Sequence, residues 1–190
     1  MPTIMPTTIK SKNFALRPPA RWSGTGFILR PFKRGDEESL ARNINNKKIY
    51  HNLLNVPYPY TLKDAKKWID ENLKEAKNKN PEKIRLAIEI AGEIAGGIGL
   101  DKIKGHKAEI GYWLGEKYWG QGIVTQAVKI VTKYGFDKLK LKRIYAHVFP
   151  WNKASMRVLE KAGFKFEGVL KKNHKKGNRY LDSHLYAKVR

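Results

Sequence analysis

The chain contains no cysteine. Disulfides, thiolate metal sites and cysteine nucleophiles are thereby excluded together, and the absence fits a cytosolic protein while saying little more about redox compartment. Acidic residues are scarce: 17 Asp and Glu stand against 39 Lys and Arg, a formal net charge of +22 with an isoelectric point near 10.1. Long apolar runs are missing too. The longest, around Ile94 to Leu100 and Tyr145 to Trp151, fall far short of the roughly 20 residues that cross a bilayer. The first residues also lack the apolar stretch of a signal peptide. These absences read as a soluble, cytoplasmic chain with no membrane partner.

What is present suits one domain. With 190 residues, 41% of them hydrophobic and 11% aromatic, the chain can bury about 70% of its unfolded surface and needs no covalent staple. A charge of this size draws polyanions and anionic substrates by long-range steering. Heat-adapted proteins also carry many lysines, but in ion-pair networks with glutamate, and here the acids are too few. An acidic protein surface, the ribosome or RNA is therefore an expected contact; a plainly solvated surface is the competing reading.

Residues 1–25 carry Pro2, Pro6, Pro18 and Pro19 without a sustained period and read as a loosely ordered arm, leaving residues 26–190 as the domain. Phe27 to Phe32 alternates weakly as a strand. Asp36 stands as a helix N-cap, with Glu37 and Glu38 in the first turn where the dipole favours acids. Thr61 and Asp64 form a capping box ahead of Ala65, Trp68, Ile69, Leu73 and Ala76 at helical spacing. Arg85 to Ile90 and Ile94 to Leu100 flank Ala91-Gly92-Glu93 as a hairpin, and Ala108 to Leu114 is a further strand. Ile123, Ala127, Ile130, Val131 and Tyr134 share one helix face. Ile144, Ala146 and Val148 alternate as a strand, and Asn152 caps a helix that stops at Gly163. Phe164 to Leu170 and Arg179 to Val189 close the chain around a basic connection, Lys171 to Asn178. The order predicts an α/β fold with one mixed sheet.

One stretch calls for a chemical reading. Gly120-Gln121-Gly122 sits directly before the helix that starts at Ile123. A nucleotide-triphosphate loop would need Lys-Ser/Thr where Gln121-Gly122 stands, and a dinucleotide fingerprint would need a small residue at Thr125. What remains is a turn of free N–H groups at the positive end of a helix, an anion site suited to a diphosphate; a tight turn for packing is the alternative.

Glu109-Ile-Gly-Tyr-Trp-Leu114, Tyr118-Trp-Gly-Gln-Gly-Ile-Val-Thr-Gln-Ala127, Asn152-Lys-Ala-Ser155, Val158-Leu-Glu-Lys-Ala-Gly-Phe164, Glu167-Gly168 and Tyr180-Leu-Asp182 together resemble the GNAT N-acetyltransferase superfamily. Within it they resemble most the branch of the ribosomal-protein N-terminal alanine acetyltransferases. The resemblance spans roughly Gly26 to Val189. It implies the GNAT fold: a single mixed, mostly antiparallel sheet with splayed parallel central strands and flanking helices.

By the same resemblance, acetyl-CoA is the co-substrate and no metal is needed. Its pantetheine arm is expected along Tyr112, Trp113 and Leu114, its diphosphate on the amides of Lys117, Gly120, Gln121, Gly122, Ile123 and Val124, and a pantetheine carbonyl or ordered water at Asn152. Lys117 stands where the superfamily often has Arg or Gln. A backbone N–H near Leu114 is expected to meet the oxyanion, Glu109 to act as general base directly or through water, and Ser155 to serve the leaving thiolate in place of the superfamily tyrosine, whose position here is Leu159. His174 is a second base candidate; a rim carboxylate, a loop histidine and first-turn capping are the competing readings of these three. His51, His106, His147 and His184 show no metal-ligand spacing. The expected acceptor is a protein N-terminal amine, partly neutral near pH 7.7 to 8.0 where a lysine is not. Alternatives are a polyamine or antibiotic amine, or a non-catalytic nucleic-acid-binding or CoA-sensing module. Monomer and homodimer both remain open.

Overall fold

Alternating apolar positions in short runs separated by turn residues produce eight strands on one sheet, in the order β1-β2-β3-β4-β5-β6-β8-β7. The computed structural model describes residues 22–24, 26–78 and 81–190. The strands are β1 (Trp22–Gly24), β2 (Phe27–Pro31), β3 (Ile84–Ile90), β4 (Glu93–Lys104), β5 (Lys107–Leu114), β6 (Arg143–Val148), β7 (Lys165–Lys176) and β8 (Arg179–Val189). Every neighbouring pair is antiparallel except β5 with β6. The helices are α1 (Glu37–Ile44), α2 (Lys47–Asn52), α3 (Leu62–Glu75), α4 (Ile123–Asp137) and α5 (Lys153–Lys161). The arm expected over residues 1–25 falls, apart from the backbone of Trp22–Gly24, outside the described residues.

Helices cover both faces, so the central strands are apolar on both sides. Residues Ile94 to Leu100 of β4 are all buried, a run that period-two alternation alone does not pick out. On one face Ile98, Leu100, Ala108, Ile110 and Leu114 pack under Ile123, Ala127, Val128 and Val131 of α4 and Met156 and Leu159 of α5. On the other, Ala87 and Ile94 pack with Phe32 under Leu40 and Ile44 of α1, Ile49 of α2 and Ala65 and Ile69 of α3.

Local chemistry explains most boundaries. Thr61 and Asp64 close a reciprocal capping box on α3. The β3–β4 hairpin turns on Ala91 and Gly92, both at positive φ, which matches the twist of the flanking strands. Three expectations are corrected. Asp36 precedes α1 but its carboxylate makes no cap bond; it accepts both guanidinium N–H groups of Arg30 at 2.8 Å and the Lys33 N–H at 2.9 Å. Lys171 to Asn178 is not a connection: Lys171 to Lys176 belong to β7, and only Gly177 and Asn178 turn the hairpin. A helix absent from the sequence reading, α2, is capped by Asn46, whose side chain accepts from Lys48 and Ile49.

Arg30 holds Asp36 and Glu89 together in a partly buried cluster. Removing the shared cation leaves two carboxylates beside each other with water largely excluded, a loss of about 3 kcal/mol. Arg30→Met is therefore expected to lower the unfolding free energy by that amount, read in urea as a lower midpoint with an unchanged slope, whereas Arg34→Met, at an exposed pair with Asp70, should cost under about 1 kcal/mol.

Candidate active site

The two parallel strands pair only at their beginnings. The register runs Lys107 with Arg143, Ala108 with Ile144 and Glu109 with Tyr145, and stops. From there Ile110 to Leu114 remains bonded to β4 while Ala146 to Val148 remains bonded to β8, so a wedge opens between them. The Gly115 N–H donates to Ala95 O at 2.7 Å. Antiparallel alternation then turns the peptide groups of Trp113, Gly111 and Glu109 toward β4 and those of Leu114 and Tyr112 into the wedge. The Leu114 carbonyl accepts the Trp119 indole N–H at 2.7 Å. Trp113 gives its backbone to β4 and its ring to the opposite face, where it packs against the α1–α3 core.

Beyond Leu114 the chain makes a short 3-10 turn, Glu116–Tyr118, and reaches the glycines. Gly120 and Gly122 have φ of 77° and 74°, and Gly122 is the N-cap of α4 with no side chain to satisfy the first-turn amides. A β-carbon at either glycine would meet no protein atom; glycine is required there by backbone conformation. The Ile123 side chain is buried, so it offers the loop only its N–H. Gln121 donates back to Lys117 O at 3.3 Å, and the Lys117 ammonium lies 3.4 Å from Glu93. Of the expected anion contacts, the amides from Gly120 to Val124 share the open turn, and the Lys117 side chain is engaged elsewhere.

Across the wedge stands the first turn of α5. The Asn152 carboxamide accepts the Ser155 N–H at 3.1 Å, an N-cap that fixes the turn. The Ser155 hydroxyl meets the Tyr112 hydroxyl at 2.8 Å. Burial pushes the Tyr112 phenol far up, against the smaller opposing effect of its Ser155 bond, so it stays protonated.

The other sheet face carries a second constellation. Glu109, Tyr145 and His147 emerge there together, because β5 and β6 pair Glu109 with Tyr145. Glu109 Oε1 is 3.0 Å from His147 Nδ1 and Oε2 is 2.7 Å from Lys102 Nζ. Burial works to raise the Glu109 pKa, but the bonds and charges of His147 and Lys102 outweigh it and hold the carboxyl at about 2. His174, on β7, sets its ring edge-on to His147 with centroids 5.2 Å apart. Burial first, and His147 second, hold it below the ordinary imidazole range. Beside this cluster a groove of roughly 430 Å³ runs over the sheet, lined by Val56, Tyr60, Trp68, Asp101, Gly111 and Trp113 among others.

Two side chains brought to the site carry little local signal. The Tyr112 hydroxyl has its partner 43 residues away. His147 lacks metal-ligand spacing, and the signal it does carry is its place two residues beyond Tyr145 on the strand that leaves the wedge. Among the described residues no group of three or more His, Asp or Glu is placed to hold a metal ion, and no helix is long and apolar enough to cross a membrane.

The chain is similar to known proteins along most of its length. The profile of the acetyltransferase (GNAT) domain matches residues 27–165. The Probable N-acetyltransferase YjcK of Bacillus subtilis (strain 168) is 35% identical over 86% of this chain and 94% of its own length. RimJ of Mycobacterium smegmatis, solved in complex with CoA-disulfide, superposes with a TM-score of 0.75 at 25% identity, covering 86% of this chain and 81% of that one. Relatives in Escherichia coli (strain K12) differ in acceptor. A ribosomal-protein-serine acetyltransferase is 34% identical over 51% of this chain and 55% of its own. A spermidine N(1)-acetyltransferase is 28% identical over 75% and 74%. A domain match over residues 27–165 and 35% identity to YjcK along most of both chains place it in one family: the chain belongs to the GNAT acetyltransferases.

Proposed function

We propose that the chain transfers the acetyl group of acetyl-CoA to a protein N-terminal amine. The observation that carries the acetyl-CoA part is the unpaired β5 edge, with its Tyr112 and Leu114 peptide groups aimed into the wedge between the α4 amides and Ser155. Acetyl-CoA supplies an acetyl thioester that an amine attacks directly. The chain's own groups then divide the work. The turn from Gly120 to Val124 holds the diphosphate by backbone N–H groups at a helix start. The Leu114 N–H meets the charge that develops on the carbonyl oxygen, a donor worth about 3 kcal/mol in such sites. Ser155, itself bonded to the Tyr112 hydroxyl, presents a hydroxyl to the departing sulfur beside the positive end of α5.

The acceptor reading draws on three features. The groove is open, floored by Gly97 and Gly111 and walled by Tyr60, Trp68 and Trp113, which suits an extended chain end. An α-amine is partly neutral near pH 7.7 to 8.0. A net charge of +22 repels polycations at long range and favours an acidic protein surface or a ribosomal setting. A polyamine is the second reading, favoured by Asp64, Glu71 and Asp101 at the groove. Two of those acids are already engaged, Asp64 in the α3 capping box and Asp101 with Arg85 at 2.8 Å.

An acceptor panel with acetyl-CoA, read by release of free thiol, decides between them. Alanine- or serine-initiated peptides are expected to turn over with kcat/KM at least about tenfold above spermidine, a difference of about 1.4 kcal/mol in transition-state binding; the reverse order would establish the polyamine reading. Within the same assay, Ser155→Ala should lower kcat by roughly 10- to 1000-fold, with acetyl-CoA affinity by calorimetry nearly unchanged. Gly122→Val, forced into a left-handed conformation and filling the open space where the diphosphate is to lie, should abolish acetyl-CoA binding and preserve the far-UV spectrum.

A further inference from the structure

Glu109 is the carboxylate that the sequence offers as general base, and its surroundings do not suit that task. Each oxygen already accepts a hydrogen bond, Oε1 at 3.0 Å from His147 and Oε2 at 2.7 Å from Lys102. A carboxylate tied at both oxygens, one of them to an ammonium, is stabilised as the anion and gives up little on staying so. What the pair does produce is an oriented imidazole. The Glu109 carboxylate can only accept, so Nδ1 carries the hydrogen, and in the neutral ring that serves as a base the lone pair lies on Nε2, for which no hydrogen-bond partner is found among the described residues.

The placement of His147 matters as much as its tautomer. Pairing between β5 and β6 ends at Glu109 and Tyr145, so His147 is the first residue on this face past the point where the strands part. The groove adjoins it: Asp101, one of its lining residues, is the β4 partner of Glu109, and Gly111 is the next residue along β5 on the same face. His147 therefore stands on the groove's face of the sheet, across the opened strand gap from Gly111.

We infer that His147 is the general base that deprotonates the acceptor amine, with Glu109 as the residue that positions it. The inference rests on the acetyltransferase reading above. As the amine nitrogen bonds to the acetyl carbon, one of its protons moves to His147 Nε2, and the carbon–sulfur electron pair leaves with sulfur as the thiolate, hydrogen-bonded by Ser155. The imidazolium then gives its proton to water and the thiolate takes one from it, so protons balance. The groups facing His147 fit this cycle. Glu109 from β5 offsets the imidazolium charge, with Lys102 of β4 behind it. Tyr145 on β6 and His174 on β7 pack against the ring at 5.5 and 5.2 Å between centroids. His174, kept in its neutral form by burial and by His147, adds no second positive charge. The division is also spatial: the base acts from the α1–α3 face and the thiolate partner from the α5 face.

The test compares wild type, His147→Asn, His147→Gln and Glu109→Gln in the thiol-release assay with saturating acetyl-CoA and an alanine-initiated peptide from pH 6 to 9.5. Calorimetry with acetyl-CoA and thermal unfolding are run beside it. Wild-type kcat should climb through the neutral range. Both His147 variants should lose that limb and fall roughly 100-fold at pH 7, with the deficit narrowing above pH 9 as solvent deprotonates the amine, and added imidazole should restore part of the loss in His147→Asn. Glu109→Gln keeps an acceptor for Nδ1–H but removes the charge, so its limb should shift to lower pH with a smaller fall in kcat. The unchanged imidazole response of Glu109→Gln would mark the carboxylate as the positioning group. If both folded His147 variants keep kcat within a factor of two and the same profile while acetyl-CoA still binds, the base assignment fails alone. If wild type does not bind acetyl-CoA, the acetyltransferase reading fails and the base assignment with it.

Discussion

The site depends on one broken strand pairing. Parallel strands gain their stability from evenly spaced, slanted hydrogen bonds, and β5 and β6 forgo these after Glu109 and Tyr145. The sheet tolerates the gap because each strand keeps its other neighbour: β5 stays in register with β4 as far as Leu114, and β6 with β8 as far as Val148. The unpaired backbone groups are left facing a space, and such groups are costly unless something bonds to them. Trp119 takes the Leu114 carbonyl from the side; the remaining edge is open to a ligand that carries amides of its own. Ligand binding and sheet completion are thus the same physical event.

In the mechanism proposed above, the wedge makes two sheet faces into one reaction space. Alternation along β5 sends Tyr112 toward α5 and Glu109 toward the opposite face, so groups three residues apart in sequence lie on different sides of the sheet. In an unbroken sheet these would never cooperate. Here the opening leaves a hydroxyl pair, Tyr112 with Ser155, on one side and a carboxylate-bound imidazole, His147 with Glu109, on the other. The environments are pushed apart in the same way: Tyr112 is held protonated by burial, whereas Glu109 is held ionised by His147 and Lys102 in spite of burial. Opposite proton affinities on the two faces are what a reaction needs when one partner sheds a proton and the other leaves as an anion.

Much of this was legible in the chain because it follows from local rules. The Thr61–Asp64 box, the Ala91-Gly92 hairpin, the Asn152 cap and the Gly120-Gln-Gly122 turn each require a few adjacent residues of particular types, and each is found where the sequence puts it. The misreadings share a cause as well. Asp36 reads as a cap, but Arg30 on a neighbouring strand offers its carboxylate a better partner. Lys171 to Lys176 reads as a loop by charge, yet a strand on the sheet's edge can be polar on both faces, and no residue of β7 is buried. α2 has six residues, too few for a period to declare itself, although Asn46 marked its start. The hydroxyl pair and the Glu109–His147 pair join residues 43 and 38 apart, and no spacing rule reaches that far.

The basic run shows how a charge count can mislead about function. Lys176 belongs to it by composition, but its ammonium donates to the carbonyls of Tyr50 at 2.6 Å and Leu53 at 2.7 Å and sits 3.9 Å from the Tyr50 ring centroid. It caps the end of α2, where unsatisfied carbonyls and the helix dipole favour a cation, and burial lowers its pKa. Lys171 is likewise engaged, 2.9 Å from Asp182. Two of the run's lysines are therefore engaged with other parts of the fold. The Lys176 contact joins the tip of the β7–β8 hairpin to the segment leading into Val56 and Tyr60, so one rim of the groove is set by residues more than a hundred positions apart in sequence. The shape of this rim then rests on the contact of α2 with the hairpin, a property of the fold that net charge describes poorly.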